Sequence, residues 1–215
     1  FVGLGTHRHR MVIYPISAPD ADGMALVNWI AEVTMDDVDS WHHDGWFRPV
    51  ELSEFIYHFE DFRYDWLDVP SMLENADCAF ENPMIDRDPV PRWTFGRVTL
   101  MGDAAHPMRP NGSNGSSQAI IDAETLAEQF QQHDTMSQAL QAYEAIRLEP
   151  MRTLVLENRK AGPERVMQMA EDNCDGKCTE VCTHVPSDIL EQVANRYKQI
   201  AGFDKDAVRK ATGMD

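Results

Sequence analysis

The first 33 residues alternate between short apolar runs and turn-forming residues. Two apolar runs, "RMVIYPIS" and "MALVNWIAEV", flank the turn-rich stretch "APDADG". This pattern is typical of strands, so it predicts the two strands of an antiparallel hairpin. The preceding "GLGTHR" looks like the start of a dinucleotide-binding glycine motif. It lacks the third glycine, however, and leads into a strand where that motif needs a helix.

Residues 34–82 are rich in aromatic side chains. Such side chains line pockets for flat rings or form the core of a sheet packed by helices, and both interpretations stay open here. For any single aromatic, the core interpretation is favoured. His42 and His43 lie beside Asp44, but neighbours on an extended chain point apart, so we interpret both histidines as surface residues. The aromatic positions are Trp41, Trp46, Phe47, Phe55, Tyr57, Phe59, Phe62, Tyr64 and Trp66.

The periodicity changes after residue 96. An apolar strand is predicted at residues 98–101, followed by a glycine-rich loop and an amphipathic helix over residues 116–131. Ser116 or Ser117 is a suitable N-cap for this helix. The apolar positions at helical spacing are Ala119, Ile120, Ala123, Leu126, Ala127 and Phe130.

Further helices are predicted towards the end of the chain. One spans about residues 136–149, and Pro150 either kinks it or starts the next helix, which runs to about Lys160. The last helix lies in "SDILEQVANRYKQIAGF", where Ser187 is a suitable N-cap and Gly202 a suitable stop.

Charge narrows the possible partners. The chain has 19 Lys and Arg against 36 Asp and Glu, a formal net charge of -17. Nucleic acids and anionic membrane surfaces both require a positive footprint, so neither is an expected partner. No stretch reaches the roughly 20 apolar residues of a membrane helix, and a soluble, cytoplasmic protein is expected.

Three of the four cysteines are spaced by four residues, at Cys174, Cys178 and Cys182, with His184 just beyond. On a helix this spacing would put the three thiols on one face, where they could hold a metal or a redox pair. The segment also contains a glycine and a proline, which argue against a long helix. We therefore interpret the cysteines as free thiols and expect no metal site.

The stretch "GDAAHPMRPNGSNGSSQAIIDA", residues 102–123, has the composition of a ligand loop. A strand that feeds a helix through a tight loop puts the helix N-terminus beside the end of the strand, where open sheets bind ligands. The N-H groups of the first helical turn form a seat for an anionic group or an electron-rich carbonyl. Gly112 and Gly115 allow a flat ligand to approach the backbone, and Asp103 can accept a hydrogen bond from a sugar hydroxyl.

The stretch "GRVTLMGDAAHPMRPNGSNGSSQAIIDAETLAE" resembles the second flavin motif of the class A FAD-dependent aromatic hydroxylases, the family of salicylate and para-hydroxybenzoate hydroxylases. The segments "PMIDRDPVPRWTFGRV" and "SNGSSQAIIDA" are most similar to the phenazine-type monooxygenase branch. The resemblance implies an α/β (α+β) fold. The chain would be the C-terminal half of a two-domain flavoprotein hydroxylase, with a mainly antiparallel substrate sheet, a flavin-loop strand and C-terminal helices.

The resemblance also implies roles for the loop residues. Asp103 would bond the ribityl chain of FAD, and Pro110 would lie near the reactive edge of the flavin as the catalytic position. Backbone N-H groups at the start of the helix would face the pyrimidine edge of the ring. Arg109 would either meet an acidic substrate or face solvent. The residues assigned to the cofactor are Gly102, Asp103, His106, Pro107, Pro110, Gly112, Ser113, Asn114 and Gly115.

The implied reaction is hydroxylation of a small aromatic substrate by dioxygen, with FAD as cofactor and NADH or NADPH as co-substrate. The family's N-terminal unit with the pyrophosphate-binding glycines is missing, so the isolated chain is expected to bind flavin weakly and to be inactive. Residues 1–95 would be a partial substrate-binding region, 96–160 the FAD-binding segment and 161–215 a helical tail. The alternative is a non-enzymatic globular remnant. Whether the chain forms a homo-oligomer stays open.

Overall fold

The computed structural model describes residues 2–6, 8–35, 46–110, 112–160, 165–174 and 185–201. The chain divides into two compact units, Phe1–Met84 and Ile85–Asp215. Helices and antiparallel strands are both present, as predicted for an α/β (α+β) chain. The division into segments 1–95, 96–160 and 161–215 stays a prediction.

The first unit is built on one antiparallel sheet of three strands in the order β1-β2-β3. These strands are β1 (Val2–Gly5), β2 (His9–Pro15) and β3 (Val27–Val33). The hairpin of β2 and β3 confirms the sequence prediction. The additional strand β1 was missed because its "VGLG" is short and glycine-rich. Since β1 pairs directly with β2, the glycines of this stretch belong to a sheet and not to a dinucleotide loop.

The aromatic residues of the first unit divide between core and surface. The buried cluster consists of Met11, Ile13, Phe59, Val69 and Leu73, and Phe55 and Phe62 pack against it. Trp46, Phe47, Tyr57 and Trp66 are exposed. Trp41, His42 and His43 lie outside the described residues, so the prediction of a surface position for the two histidines stays a prediction.

Short elements complete the first unit. They are β4 (Arg48–Pro49), the 3-10 turns Leu52–Glu54 and Ile56–His58, β5 (Arg63–Tyr64), β6 (Leu67–Asp68), α1 (Val69–Glu74) and β7 (Phe80–Glu81). The side chain of Asp68 caps α1 by accepting a hydrogen bond from the Ser71 N-H, and Pro70 lies in the first turn, where a missing N-H costs nothing.

The second unit is mainly helical. The hairpin of β8 (Thr94–Phe95) and β9 (Val98–Thr99) leads through a 3-10 turn at Gly102–Ala104 to α2 (Gly115–Gln132) and α3 (Met136–Asn158). β9 is shorter than the predicted strand over residues 98–101, since its pairing with β8 ends at Thr99. Two further helices follow, α4 (Arg165–Cys174) and α5 (Ser187–Ile200).

The helix α3 is one continuous element, and Pro150 lies inside it. The sequence left open whether Pro150 kinks the helix or starts a new one. A proline inside a helix removes one hydrogen bond to the fourth residue before it, here Ile146. Pro150 and Ile146 are both exposed, so water can satisfy the Ile146 carbonyl. Met151 and Leu154 anchor the next turn in the core, and the helix therefore continues.

The core of the second unit consists of Trp93, Ala105, Tyr143, Met151, Leu154 and Ala201. The helix α5 begins at Ser187, within one residue of the prediction, and Ala201 at its end reaches this core. Gly202, Cys178, Cys182 and His184 lie outside the described residues. In the part of the chain that the structure describes, no group of three or more His, Cys, Asp or Glu side chains could hold a metal ion.

Candidate functional site

The loop from Gly102 to Gly115, called the 102–115 loop below, begins with a tight turn against α2. Gly102 has a φ of 58°, a left-handed conformation that disfavours side chains. A Cβ at this position would also lie 3.3 Å from the Cβ of Ala119 in α2. Glycine therefore serves both the backbone turn and the close approach of the turn to the helix.

A second reversal precedes the helix. Gly112 and Ser113 both have positive φ, 78° and 54°, and the Ser113 N-H donates to the Pro110 carbonyl at 2.9 Å. The reversal places Asn114, not Ser116 or Ser117, at the N-cap of α2. The predicted serine caps are therefore wrong: the helix starts earlier than predicted because the two left-handed residues end the loop at Asn114.

The N-terminus of α2 lies beside Asp103. The first bond into the helix runs from the Gln118 N-H to the Asn114 carbonyl at 2.9 Å, so the N-H groups of Gly115 and the two serines after it have no acceptor within the helix. A helix N-terminus carries roughly half a positive charge. The Oδ1 atom of Asp103 lies 3.8 Å from the Cβ position of Gly115, which brings these two predicted site residues together.

Beneath the loop lies a buried carboxylate that the sequence analysis missed. Asp122 of α2 is 0% exposed. Its Oδ2 accepts the Gly102 N-H at 2.9 Å and lies 2.7 Å from Nε2 of His106. Because an ionised carboxylate only accepts hydrogen bonds, Nε2 carries the hydrogen. His106, one of the residues assigned to the cofactor, is thus held from below at its ring.

Arg147 of α3 neutralises this carboxylate. Its Nε donates to Asp122 Oδ1 at 2.7 Å, and its Nη2 donates to Gln118 Oε1 at 2.7 Å. The Gln118 amide donates in turn to the Ala201 carbonyl at 3.0 Å. We call Asp122, Arg147, Gln118 and His106 the buried network. It joins the loop, α2, α3 and the end of α5.

The fully buried residues of α2 are polar, and the apolar Leu126 packs only partly buried against the core. Ile120 and Phe130 are 69% and 45% exposed, although their spacing suggested the core-facing side of an amphipathic helix. The helix itself confirms the prediction, but its orientation could not be inferred from the apolar positions. One signal was present in the sequence, a polar stripe at spacings of three and four. It consists of Gln118, Asp122, Thr125 and Gln129, all buried.

The pKa of Asp122 follows from two opposed effects. Burial alone would raise the pKa of this carboxyl, but hydrogen bonds from His106, Arg147 and the Gly102 N-H more than offset it, and the pKa lies below its ordinary value. The nearby Tyr143 hydroxyl is buried and close to the Asp122 charge, so its pKa is raised and it stays protonated.

We expect the Asp122 contribution to stability to disappear in acid. Because its pKa is lower in the folded chain, the stabilisation is complete above the ordinary pKa of an aspartate, 3.8, and is lost as the pH falls through the lowered value. The free energies of unfolding in urea of the chain and of an Asp122→Asn variant should therefore differ by a constant amount from about pH 7 to about pH 4, and should begin to converge as the pH falls further towards about pH 3. Glu124→Gln, an exposed change on the same helix, is the control, and a difference that stays constant with pH would contradict the assignment.

The remaining predicted residues lie at the surface of the loop. Pro107 is half-buried, and Pro110 is exposed. The side chain of Arg109 is exposed, while its carbonyl accepts a hydrogen bond from Nδ2 of the buried Asn158 at 3.4 Å. The loop is therefore braced from α3 as well as from α2. The roles assigned to these residues stay predictions.

Comparison with known proteins gives one matching family model, described as an FAD binding domain, over residues 85–158. The chain is 44% identical over 151 residues to phenazine 1,6-dicarboxylic acid hydroxylase PhzS of Lysobacter antibioticus, a match that covers 70% of this chain and 37% of that protein. It is 34% identical over 166 residues to 6-hydroxynicotinate 3-monooxygenase of Bordetella bronchiseptica, covering 77% and 38%.

Two solved structures share the fold. The structure of 2,6-dihydroxypyridine-3-hydroxylase from Arthrobacter nicotinovorans matches with a TM-score of 0.55 at 24% identity, covering 71% of this chain and 42% of that one. Klebsiella pneumoniae HpxO, solved with FAD and uric acid, matches with a TM-score of 0.52 at 20% identity, covering 91% and 44%. The chain thus spans less than half the length of the relatives that it matches. No helix among the described residues is long and apolar enough to cross a membrane.

Proposed function

From the chain's membership in the class A FAD-dependent aromatic hydroxylases, we propose that its 102–115 loop binds the ring and ribityl side of FAD in an aromatic monooxygenase. The observation that carries the proposal is the meeting of Asp103 with the N-terminus of α2 inside the matched region, residues 85–158. The alternative of a non-enzymatic remnant is not favoured, because the relatives that the chain matches are hydroxylases and monooxygenases.

The geometry of the loop fits this part of FAD. The ribityl chain offers hydroxyl donors, and Asp103 is an exposed carboxylate that accepts them. The pyrimidine edge of the ring is electron-rich, and the first-turn N-H groups of α2 are donors at a positive helix pole. Gly115 offers no side chain between ligand and backbone. Asp103 would thus accept hydrogen bonds from the ribityl hydroxyls, and the first-turn N-H groups of α2 would donate to the pyrimidine edge.

We assign a role to Asp103, to the start of α2 and to Pro110. Asp103 orients the cofactor through its ribityl chain, and the start of α2 stabilises negative charge at the pyrimidine edge of the ring. When bound, FAD supplies the redox chemistry that activates dioxygen. Pro110, at the exposed bend of the loop, would border the reacting edge and help to exclude water. Its carbonyl accepts the Ser113 N-H, which keeps the bend closed.

The substrate and the co-substrate belong to the same proposal. NADH or NADPH would supply the electrons, and a small aromatic molecule would accept one oxygen atom. The exposed Arg109 would favour an aromatic acid, since guanidinium binds carboxylate well. A cytoplasmic location, with its supply of reduced nicotinamide, and assembly into a homo-oligomer stay predictions.

The pyrophosphate of FAD needs a further part of the protein. Relatives such as the hydroxylase PhzS of Lysobacter antibioticus are much longer, and this chain covers 37% of it. The exposed Ile120 and Phe130 of α2 are consistent with a further packing surface on the outer side of that helix. We therefore propose that FAD binding and activity belong to the longer protein that carries this chain.

The proposed function is tested on that longer protein after purification. A flavin absorption spectrum, together with oxidation of NADH or NADPH that depends on an aromatic acid, is the expected result. A colourless protein to which added FAD does not bind would contradict the proposal.

Within that protein, Asp103→Asn should weaken FAD binding by about ten- to a hundredfold, because a hydrogen bond to a charged group contributes about 1.5–3 kcal/mol. The dissociation constant is measured by quenching of flavin fluorescence. Asp134→Asn, an equal change of charge at an exposed position after α2, is the control and should leave the constant unchanged. Equal affinities for the two variants would exclude Asp103 as a ligand.

A further inference from the structure

We infer that Asp122 is the positioning residue of the 102–115 loop: by accepting hydrogen bonds from Gly102 and His106 with one carboxylate oxygen, it fixes Asp103 against the start of α2. The inference rests on the proposed function and adds a residue to it. It begins from the contacts on either side of Asp103.

Residues 102–106 form a single tight turn. The N-H groups of Ala105 and His106 both donate to the Gly102 carbonyl, at 2.9 and 3.0 Å. The Gly102 N-H and the His106 ring then meet the same atom, Asp122 Oδ2, at 2.9 and 2.7 Å. One oxygen thus holds both ends of the turn, and Asp103 lies between them. A turn held at both ends leaves Asp103 little freedom.

The helix α2 carries both the first-turn N-H groups of the site and the residue that anchors the Asp103 turn. Gly115 starts α2, and Asp122 lies two helical turns further along its buried side. The first-turn N-H groups and the anchor of the Asp103 turn are therefore joined by one rigid element. The distance between the two expected flavin contacts is fixed by α2 and not by the loop alone.

The ring of His106 links the Asp122 carboxylate to the end of the turn that carries Asp103. It is 2% exposed and packs against Trp93, with ring centroids 5.7 Å apart. Its Nε2 is bound to Asp122, and its Nδ1 has no hydrogen-bond partner among the described residues. The hydrogen bond to Asp122 is therefore the polar contact that sets the orientation of this ring.

A role in stability alone does not explain the carboxylate. Burying an ion pair costs desolvation free energy, and well-packed apolar residues commonly replace such a pair without loss of stability. What apolar residues cannot replace is the acceptor for the Gly102 N-H and for the His106 ring. The loss of this acceptor therefore distinguishes a residue that positions the loop from one that only stabilises the fold.

The double variant Asp122→Leu with Arg147→Met tests the inference, because it removes both buried charges together and keeps similar side-chain volumes. We expect the double variant to fold with a lowered thermal midpoint, because the Gly102 N-H, the His106 ring and Gln118 Oε1 lose their buried partners. The Gly102 exchange rate is therefore compared with the rates of amides in α2. We also expect the exchange rate of the Gly102 amide to rise about tenfold or more, and the FAD dissociation constant of the longer protein to rise about tenfold or more. Glu124→Gln is the control for α2.

A folded double variant with unchanged Gly102 exchange and unchanged FAD affinity would overturn the inference. If the double variant fails to fold, Asp122→Asn takes its place. That variant keeps one acceptor oxygen and should show smaller changes of the same sign, while unchanged values would again overturn the inference. The exchange measurement also keeps the two proposals apart. If the unaltered protein binds no FAD, the proposed function fails, and Gly102 exchange still decides whether Asp122 anchors the turn.

Discussion

Replacing Arg147 by Met is expected to lower the free energy of unfolding by about 3–5 kcal/mol, because it leaves a buried carboxylate without its counter-charge. Asp122 is fully buried, and the guanidinium Nε lies 2.7 Å from its Oδ1. Methionine fills much of the space of the arginine stem but offers no donor. The Gly102 N-H and the His106 ring would remain the partners of the carboxylate. Urea unfolding near neutral pH, followed by far-UV circular dichroism, measures the loss.

The control for this prediction lies on the same helix. Arg152 is exposed and pairs with Glu149 at 3.4 Å, an interaction of the surface kind that contributes about 0–1 kcal/mol. Arg152→Met should therefore change the free energy of unfolding by less than about 1 kcal/mol. If the Arg147 and Arg152 variants lose the same amount, the buried network does not stabilise the second unit.

A loop at residues 102–115 followed by a helix was predictable from local residues, although the N-cap was not. Gly102 and Gly112 adopt positive φ, and the helix follows the loop where the small and apolar residues begin to recur. Turn chemistry and helix periodicity are local properties, so a single sequence carries them. The same local reasoning predicted the hairpin of β2 and β3 but missed β1, whose pairing depends on the tertiary structure.

The buried network could not be predicted from local sequence patterns. Asp122 contacts a histidine 16 residues before it and an arginine 25 residues after it. Nothing in the local pattern marks these three residues as partners, because their pairing arises only when α2 packs on α3. The burial of polar residues on α2 has the same origin: the Asp122 carboxylate and the Gln118 amide find partners on neighbouring elements, so these polar side chains can lie inside.

The contact between Trp93 and His106 gives the second large prediction. Trp93 is 2% exposed and lies between the His106 ring and the ring of Tyr143, with centroid distances of 5.7 and 5.8 Å. Replacing it by Ala removes a large apolar surface from the core and leaves a cavity beneath the loop. Substitutions of this kind cost about 3–5 kcal/mol. Because the variant lacks a fluorophore of the core, unfolding in urea should be followed by far-UV circular dichroism.

Trp66→Ala provides the comparison, since Trp66 is 63% exposed at the turn between β5 and β6. The free energy of unfolding of this variant should fall by no more than about 1 kcal/mol, as expected of surface substitutions. The Trp93 variant should also raise the hydrogen exchange of the Gly102 amide, because the His106 ring loses the surface against which it packs while its bond to Asp122 remains. A Trp93 variant as stable as the Trp66 variant would show that the loop does not depend on the aromatic core beneath it, and the buried network alone would then have to hold Asp103 in place.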